Sequence, residues 1–217
     1  MASTPVHPER ISATSACPPA PTREVGARLA NWNELGRDTS AWDRLALSAR
    51  EPNPFFESWY LLPSLHAFDP GQKVRLFVLE IDGELVGLMP LRSAWRYYGW
   101  PLPNLGNWMH ANSFLGLPVV TEGCEALFWR ELLAFCDTAP GPALFLHLRD
   151  MPLDGRLYAA LLEVLEQTRR PAAIVQKEER AFLNTGTSGA AYWDSSLSAK
   201  KRKELRRQRK RLAEEGS

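Results

Sequence analysis

The chain has 217 residues, 45% of them apolar, which suffices to bury the core of one large domain and excludes a disordered protein. Its formal charge of +1 conceals a division, because Lys200, Lys201, Arg202, Lys203, Arg206, Arg207, Arg209, Lys210 and Arg211 hold nine of the 26 cations beside only three of the 25 acids. The tail therefore carries +6 and the rest of the chain −5.

Cys17, Cys124 and Cys136 are odd in number and lack C-x-x-C spacing. They suggest neither a disulfide framework nor a thiolate metal site, and a reducing cytoplasm fits them. No apolar run is long enough to span a membrane, so no transmembrane segment is expected. The first 26 residues carry several prolines among Ala, Ser and Thr without a signal peptide's apolar centre, and read as a disordered leader.

A short strand is expected at Arg28–Trp32. Thr39 or Ser40 then caps a helix over Ala41–Arg50 with Trp42, Leu45 and Ala49 on one face. A second helix is expected over Phe56–Phe68, where Trp59, Leu62, Leu65 and His66 recur at helical spacing around Pro63. The β-branched and aromatic run Lys73–Glu80, the turn Asp82-Gly83 and the return Glu84–Leu91 predict a hairpin. Ser93–Tyr98 extends this meander, residues 99–112 read as a loop rich in Pro, Gly, Asn and Trp, and Ser113–Val120 reads as a strand. A helix over Glu122–Asp137, a strand at Ala143–Leu148 and an amphipathic helix over Leu157–Arg169 follow. Ala172–Glu178 and Ala181–Asn184 are expected as final strands, and residues 186–189 as a flexible connector. Tyr192 and Trp193 beyond it are expected to dock the root of a basic tail helix.

The resulting fold class is α/β, a mixed sheet flanked by helices and followed by a C-terminal basic helix. Its element order resembles that of the GNAT acyltransferases. Two segments narrow the resemblance: Glu80–Leu91, with its D-G-x-L-V-G-x-x-P-L hairpin, and the serine-led basic run Ser196–Arg207, closing with Arg211–Gly216. Together they resemble the CelD-type acetyltransferases linked to cellulose and exopolysaccharide synthesis, a group similar to the two-lobed FemABX aminoacyltransferases. The resemblance implies acyl transfer from acetyl-CoA or another acyl-CoA to a sugar- or polysaccharide-related acceptor in the complete protein. It also implies that this chain is the N-terminal lobe, inactive by itself, and that its partner is a second GNAT lobe of the same protein. The expected domains are the leader 1–26, a GNAT-like lobe 27–186, and the connector and basic helix 187–217.

A working GNAT site holds pyrophosphate on a Gly-rich loop at a strand-to-helix junction. Here that junction reads Pro118-Val-Val-Thr-Glu-Gly-Cys-Glu125, with a single Gly, no preceding Arg or Gln, and Glu122 and Glu125 in the expected first helical turn. Carboxylates there repel phosphate, so no cofactor is expected on this chain. The candidate acceptor surface is Trp108, His110, Asn112 and Ser113, residues able to stack on a sugar or hydrogen-bond to it. The ordinary alternative for these residues is packing. No carboxylate pair, His-rich spacing or nucleophile elbow appears, so the catalytic residue is unassigned and no metal is expected.

Ser198 is placed as the N-cap of the tail helix, which runs to Glu215 with Gly216 as its C′ residue. Leu197, Leu205 and Leu212 give it only a narrow apolar stripe. Lys200, Lys203, Arg207, Lys210 and Arg211 are its candidate anion or lobe contacts. The resemblance makes this helix a bridge to the second lobe. The alternatives are a solubilising arm and a non-enzymatic module that uses the helix on nucleic acid or an anionic membrane. Nucleic acid is not the expected partner.

Overall fold

The computed structural model describes residues 23–138, 141–180, 186 and 188–216. Most of the expected leader and the strand expected at Ala181–Asn184 lie outside the described residues. Two compact units divide the chain, Met1–Pro171 and Ala172–Ser217.

The first unit opens with β1 (Val25–Ala30), which begins inside the segment assigned to the leader. Three helices follow: α1 (Trp32–Leu35), α2 (Ser40–Ser48) and, after a 3-10 turn at Pro54–Phe56, α3 (Ser58–Phe68). Trp42 and Leu45 of α2 are buried as their spacing implied, and the Trp42 indole N–H donates to Phe56 O at 2.9 Å. In α3 the buried side is Leu61 and Leu65, whereas Trp59 is 63% exposed. Helical spacing alone misplaced that indole because α3 is apolar around most of its circumference.

The hairpin forms as read: β2 (Arg75–Ile81) pairs antiparallel with β3 (Glu84–Ala94). Asp82 (φ 53°) and Gly83 (φ 79°) take the two left-handed turn positions, which Gly and Asp tolerate best. β1 lies antiparallel on the other side of β2. Leu76, Phe77, Val78 and Leu79 are all fully buried, so both faces of β2 are covered.

Beyond β3 the expectations need correction. β3 runs unbroken to Ala94, and the supposed loop contains β4 (Asn104–Asn107), antiparallel to the end of β3. Of the strand expected at Ser113–Val120 only β5 (Val119–Val120) forms, pairing with Gly87 and Leu88 earlier on β3. β4 and β5 thus share one edge of β3. The helix α4 (Glu125–Thr138) leads to β6 (Leu146–His147), which pairs parallel with β4. The sheet order is β1-β2-β3-β4-β6, with β5 beside β3, and the sheet is mixed.

Helix α5 (Arg156–Gln167) closes the unit against α4, with Leu157, Leu161 and Val164 buried. The Trp129 indole N–H donates to Leu157 O at 2.8 Å. Glu51 Oε2 accepts the Leu157 N–H at 2.7 Å, which sets a carboxylate at the positive end of α5.

The second unit starts with residues 172–180, which form no strand and are exposed throughout. Ile174 and Val175 remain 58% and 65% exposed, and the β-branched composition of Ala172–Glu178 does not make a strand. The first compact unit ends at Pro171. Helix α6 (Gly189–Ser196) carries Tyr192 and Trp193, and α7 (Ala199–Glu215) is the basic helix. Ser198 caps α7 as expected, accepting the Lys201 N–H at 3.3 Å. Gly216 ends the helix at φ −112°, not in the left-handed conformation that its sequence position suggested. Arg202 joins the two helices, donating to Leu197 O at 2.8 Å and lying 3.6 Å from Asp194 Oδ1.

Candidate functional site

The strand facing β3 is interrupted, and the interruption builds the site. Leu91 pairs with Asn107 and Leu88 with Val119, so three steps along β3 are matched by twelve across from it. Between β4 and β5 the chain makes an excursion out of the sheet, and this excursion carries Trp108, His110, Asn112 and Ser113.

Two buried asparagines hold it. Asn107, 2% exposed, donates from Nδ2 to Gly116 O at 3.1 Å and Arg149 O at 2.9 Å, and accepts the Arg149 N–H on Oδ1 at 2.9 Å. Asn53, fully buried ahead of α3, donates to Leu115 O at 3.1 Å and Leu117 O at 2.6 Å, and accepts the Phe55 N–H at 3.1 Å. The loop's carbonyls, which would otherwise be stranded away from water, are satisfied by side chains that the core fixes in place. Gly116 N–H adds a backbone bond to Asp150 O at 2.8 Å.

At the centre stands His110. Its ring stacks on Phe68 (4.7 Å between centroids) and Tyr60 (5.9 Å), both from α3, and tilts against Trp108 at 5.6 Å. His110 Nδ1 accepts the Asn112 N–H at 3.3 Å, which puts the proton of the neutral ring on Nε2. Nε2 is enclosed and has no hydrogen-bond partner among the described residues. The Tyr60 hydroxyl donates to Asn112 O at 2.7 Å, and the Ser113 N–H donates to His110 O at 2.9 Å. The four sequence candidates are therefore gathered around one ring. Their roles differ from the reading above: Trp108 is 4% exposed and offers no face to a ligand, and Ser113 is buried. With Nδ1 engaged and Nε2 enclosed, His110 holds the loop and is not poised as a base.

The exposed aromatic faces lie around this centre. Phe68 is 54% exposed, Phe114 60% and Trp59 63%. Phe55 meets Tyr60 edge-on at 5.2 Å and Phe114 at 5.7 Å, and Trp59 meets Tyr60 at 5.7 Å. Sequence reasoning missed this rim. The signal available was the excess of apolar residues on α3, Trp59, Tyr60 and Phe68 being more than one buried face requires.

Burial lowers the pKa of His110, and burial followed by the neighbouring Arg149 lowers that of His147. Both rings take up a proton less readily in the folded chain, so the unfolded chain is protonated first as the pH drops. Stability is then intact above the ordinary histidine value of about 6.5 and declines below it. The melting temperature should fall between about pH 7.5 and about pH 5.5, and replacing both histidines by Phe should flatten that slope whatever it does to the melting temperature itself. A slope unchanged in the double variant would contradict the assignment.

The β5–α4 junction differs in detail from its expected form. Glu122 precedes α4, whose first turn carries Glu125. The Glu122 carboxylate lies 2.8 Å from Arg50 and 3.6 Å from Arg156, so it occupies the two guanidinium groups that converge there. Gly123 alone has positive φ (86°) in this turn. The nearby Cys124 and, in α4, Cys136 are poor nucleophiles: burial raises both thiols, Cys136 to about 11. No cluster of potential metal ligands occurs among the described residues.

The tail candidates lie apart from this centre in sequence, on α7 of the second unit. Arg207 pairs with Glu204 at 3.0 Å and Lys210 with Glu214 at 3.9 Å, both within the helix, while Lys200, Lys203 and Arg211 are exposed.

No protein-family model matches the chain, and no curated protein does. Solved structures similar to it are acetyltransferases. A ribosomal-protein-alanine N-acetyltransferase from Brucella melitensis biovar Abortus 2308 is 14% identical, over 73% of this chain and 99% of that one, at a TM-score of 0.45. A possible acetyltransferase from Clostridium difficile 630 is 12% identical, over 74% and 99%, at 0.42. An aminoglycoside acetyltransferase from an uncultured soil metagenomic sample, in complex with sisomicin, is 12% identical, over 74% and 97%, at 0.41.

Proposed function

We propose that this chain is the acceptor-side lobe of a GNAT-type acyltransferase of the CelD kind. The complete protein moves an acyl group from acyl-CoA to an amine or hydroxyl of a sugar-related acceptor. The observation that carries the reading is the excursion between β4 and β5, a rigidly pinned loop packed on α3, where Phe114 of the loop and Trp59 and Phe68 of α3 leave their rings exposed. Such rings receive the apolar face of a sugar. The chain's element order supports the GNAT reading: an antiparallel meander, a strand beside β3, a helix, and a parallel return onto β4.

The acyl-CoA site belongs on a second lobe. At the β5–α4 junction Glu122 pairs with Arg50 and Arg156, and Glu125 sits in the first turn of α4, where pyrophosphate would require the opposite charge. Helix α7 serves as the link toward that lobe, with Lys200, Lys203, Arg207, Lys210 and Arg211 available to an acidic surface or a phosphorylated cofactor on it.

Calorimetry tests the two halves of the proposal separately. Titration with acetyl-CoA should give no binding heat, and micromolar affinity would overturn the assignment of the cofactor to another lobe. Titration with amino-sugar oligosaccharides should give weak binding that Trp59→Ala and Phe68→Ala each reduce by roughly fivefold or more, the scale of one lost stacking contact. Binding indifferent to both substitutions would remove the rim from consideration.

A further inference from the structure

Residues 85–121 contain no Asp or Glu, although the chain ahead of its tail is net acidic. In that stretch the connection from β3 to β4 narrows to a tight turn. Tyr97 and Trp100 exchange both backbone hydrogen bonds at 3.0 Å, and Tyr98 (φ 46°) and Gly99 (φ 86°) occupy its left-handed positions. Asn104, buried at the base, donates from Nδ2 to Leu102 O at 3.0 Å and Arg96 O at 3.3 Å. Tyr97 points back toward the sheet, edge-on to His147 at 5.0 Å and Phe145 at 5.1 Å. Its neighbours stand out: Trp95, Tyr98 and Trp100 are 72%, 72% and 70% exposed. Arg92 and Arg96 are exposed beside them.

Three large rings held outward on a braced hairpin contribute little to the core and mark a contact surface. Rings this exposed leave no concave wall to enclose a small molecule. The charge asks for an anionic partner, since both ionised side chains of the tip are arginines and neither is ion-paired among the described residues. The rings ask for an apolar phase beneath that anionic layer, because two cations are too few to carry binding to a phosphate backbone on their own. A bilayer with acidic headgroups satisfies both demands: Trp and Tyr settle at headgroup depth and arginines meet lipid phosphate. We infer that the β3–β4 tip is a peripheral anchor that seats the protein on an anionic bilayer through Trp95, Tyr98 and Trp100, with Arg92 and Arg96 on the headgroups. This surface is separate from the His110 rim and stands whether or not the acyltransferase reading holds.

Vesicle co-sedimentation of the full chain tests it. The protein should associate with phosphatidylcholine vesicles containing phosphatidylglycerol and not with phosphatidylcholine alone. Trp95→Ala with Trp100→Ala, and separately Arg92→Ser with Arg96→Ser, should each lower the partition coefficient roughly tenfold. Bromine-labelled acyl chains should quench tryptophan emission in the unaltered protein and not in the Trp95→Ala, Trp100→Ala variant. Converting Lys200, Lys203, Arg207, Lys210 and Arg211 to Gln should leave the tip-dependent binding in place. The inference is overturned if no vesicle association occurs, or if association survives both tip variants and disappears with the tail cations. It is equally overturned if the tip residues govern binding to a soluble acidic polysaccharide or single-stranded DNA while vesicles are ignored.

Discussion

Asn107→Ala should destabilise the protein by roughly 3 kcal/mol, because it removes the partner of three backbone groups at once, one buried and two part-buried, and each orphaned group costs about 1–3 kcal/mol. Those groups are the carbonyls of Gly116 and Arg149 and the Arg149 N–H, all now within 3.1 Å of the Asn107 amide. Water reaches the site poorly, the side chain being 2% exposed, so solvent cannot replace the lost partners. For a unit of this size the melting temperature should drop by about 10 °C. Asn107→Asp supplies the sharper comparison. It keeps the shape and the acceptor for Arg149 N–H but sets carboxylate oxygens against two carbonyl oxygens, so it should cost as much as the alanine. If denaturant unfolding of the alanine variant shows a loss under about 1 kcal/mol, the amide is not the fastener of the excursion. The sugar affinity expected of the Trp59, Phe68 and Phe114 rim should fall with it, although Asn107 touches none of those rings.

The same asparagine explains why the site was only half legible. The segment Trp108–Ser113 attracted notice through its residue types, and those residues do assemble around His110. Yet Asn107 acts through Arg149, 42 positions away, and Asn53 acts through Leu115 and Leu117, more than 60 positions away. No local pattern announces such partners. Residue type places Trp108 with His110 as a candidate for stacking or packing, and burial decides for packing, sending its ring inward and leaving Trp59 outside. Local chemistry was read more safely. Asp82-Gly83 dictates its own turn, Ser198 caps α7 with its own hydroxyl, and α5 buries Leu157, Leu161 and Val164 at a spacing visible in the chain. Strands that depend on distant pairing were misread in both directions. β4 forms from Asn104-Leu-Gly-Asn107, a poor strand by composition, because β3 and β6 supply edges on both sides. Ala172–Glu178 is a good strand by composition and forms none.

Gly116→Ala should be at least as damaging as Asn107→Ala, for a steric reason where the other is polar. A methyl group at Gly116 would stand 1.9 Å from Arg149 O and 2.4 Å from Asn107 Nδ2. The first obstacle is backbone and the second is a side chain already held by three bonds, so no rotamer change relieves the contact. The two segments must separate, which breaks the Gly116 N–H bond to Asp150 O and the Asn107 bond to Gly116 O together. We expect a loss of roughly 3–4 kcal/mol, the range of overpacking combined with a broken buried network. Gly26→Ala is the matched control: it lies in β1 with open space where the methyl would go, so it should change stability by no more than about 0.5 kcal/mol. Should the Gly116 variant express poorly, the test remains available in the other direction. Hydrogen exchange in the unaltered protein should show the Gly116 and Arg149 amides protected nearly as strongly as those of β2, because opening the excursion requires breaking the Asn107 network. Fast exchange at both amides would mean that the excursion opens freely, and the rigid rim on which the acceptor site depends would be gone.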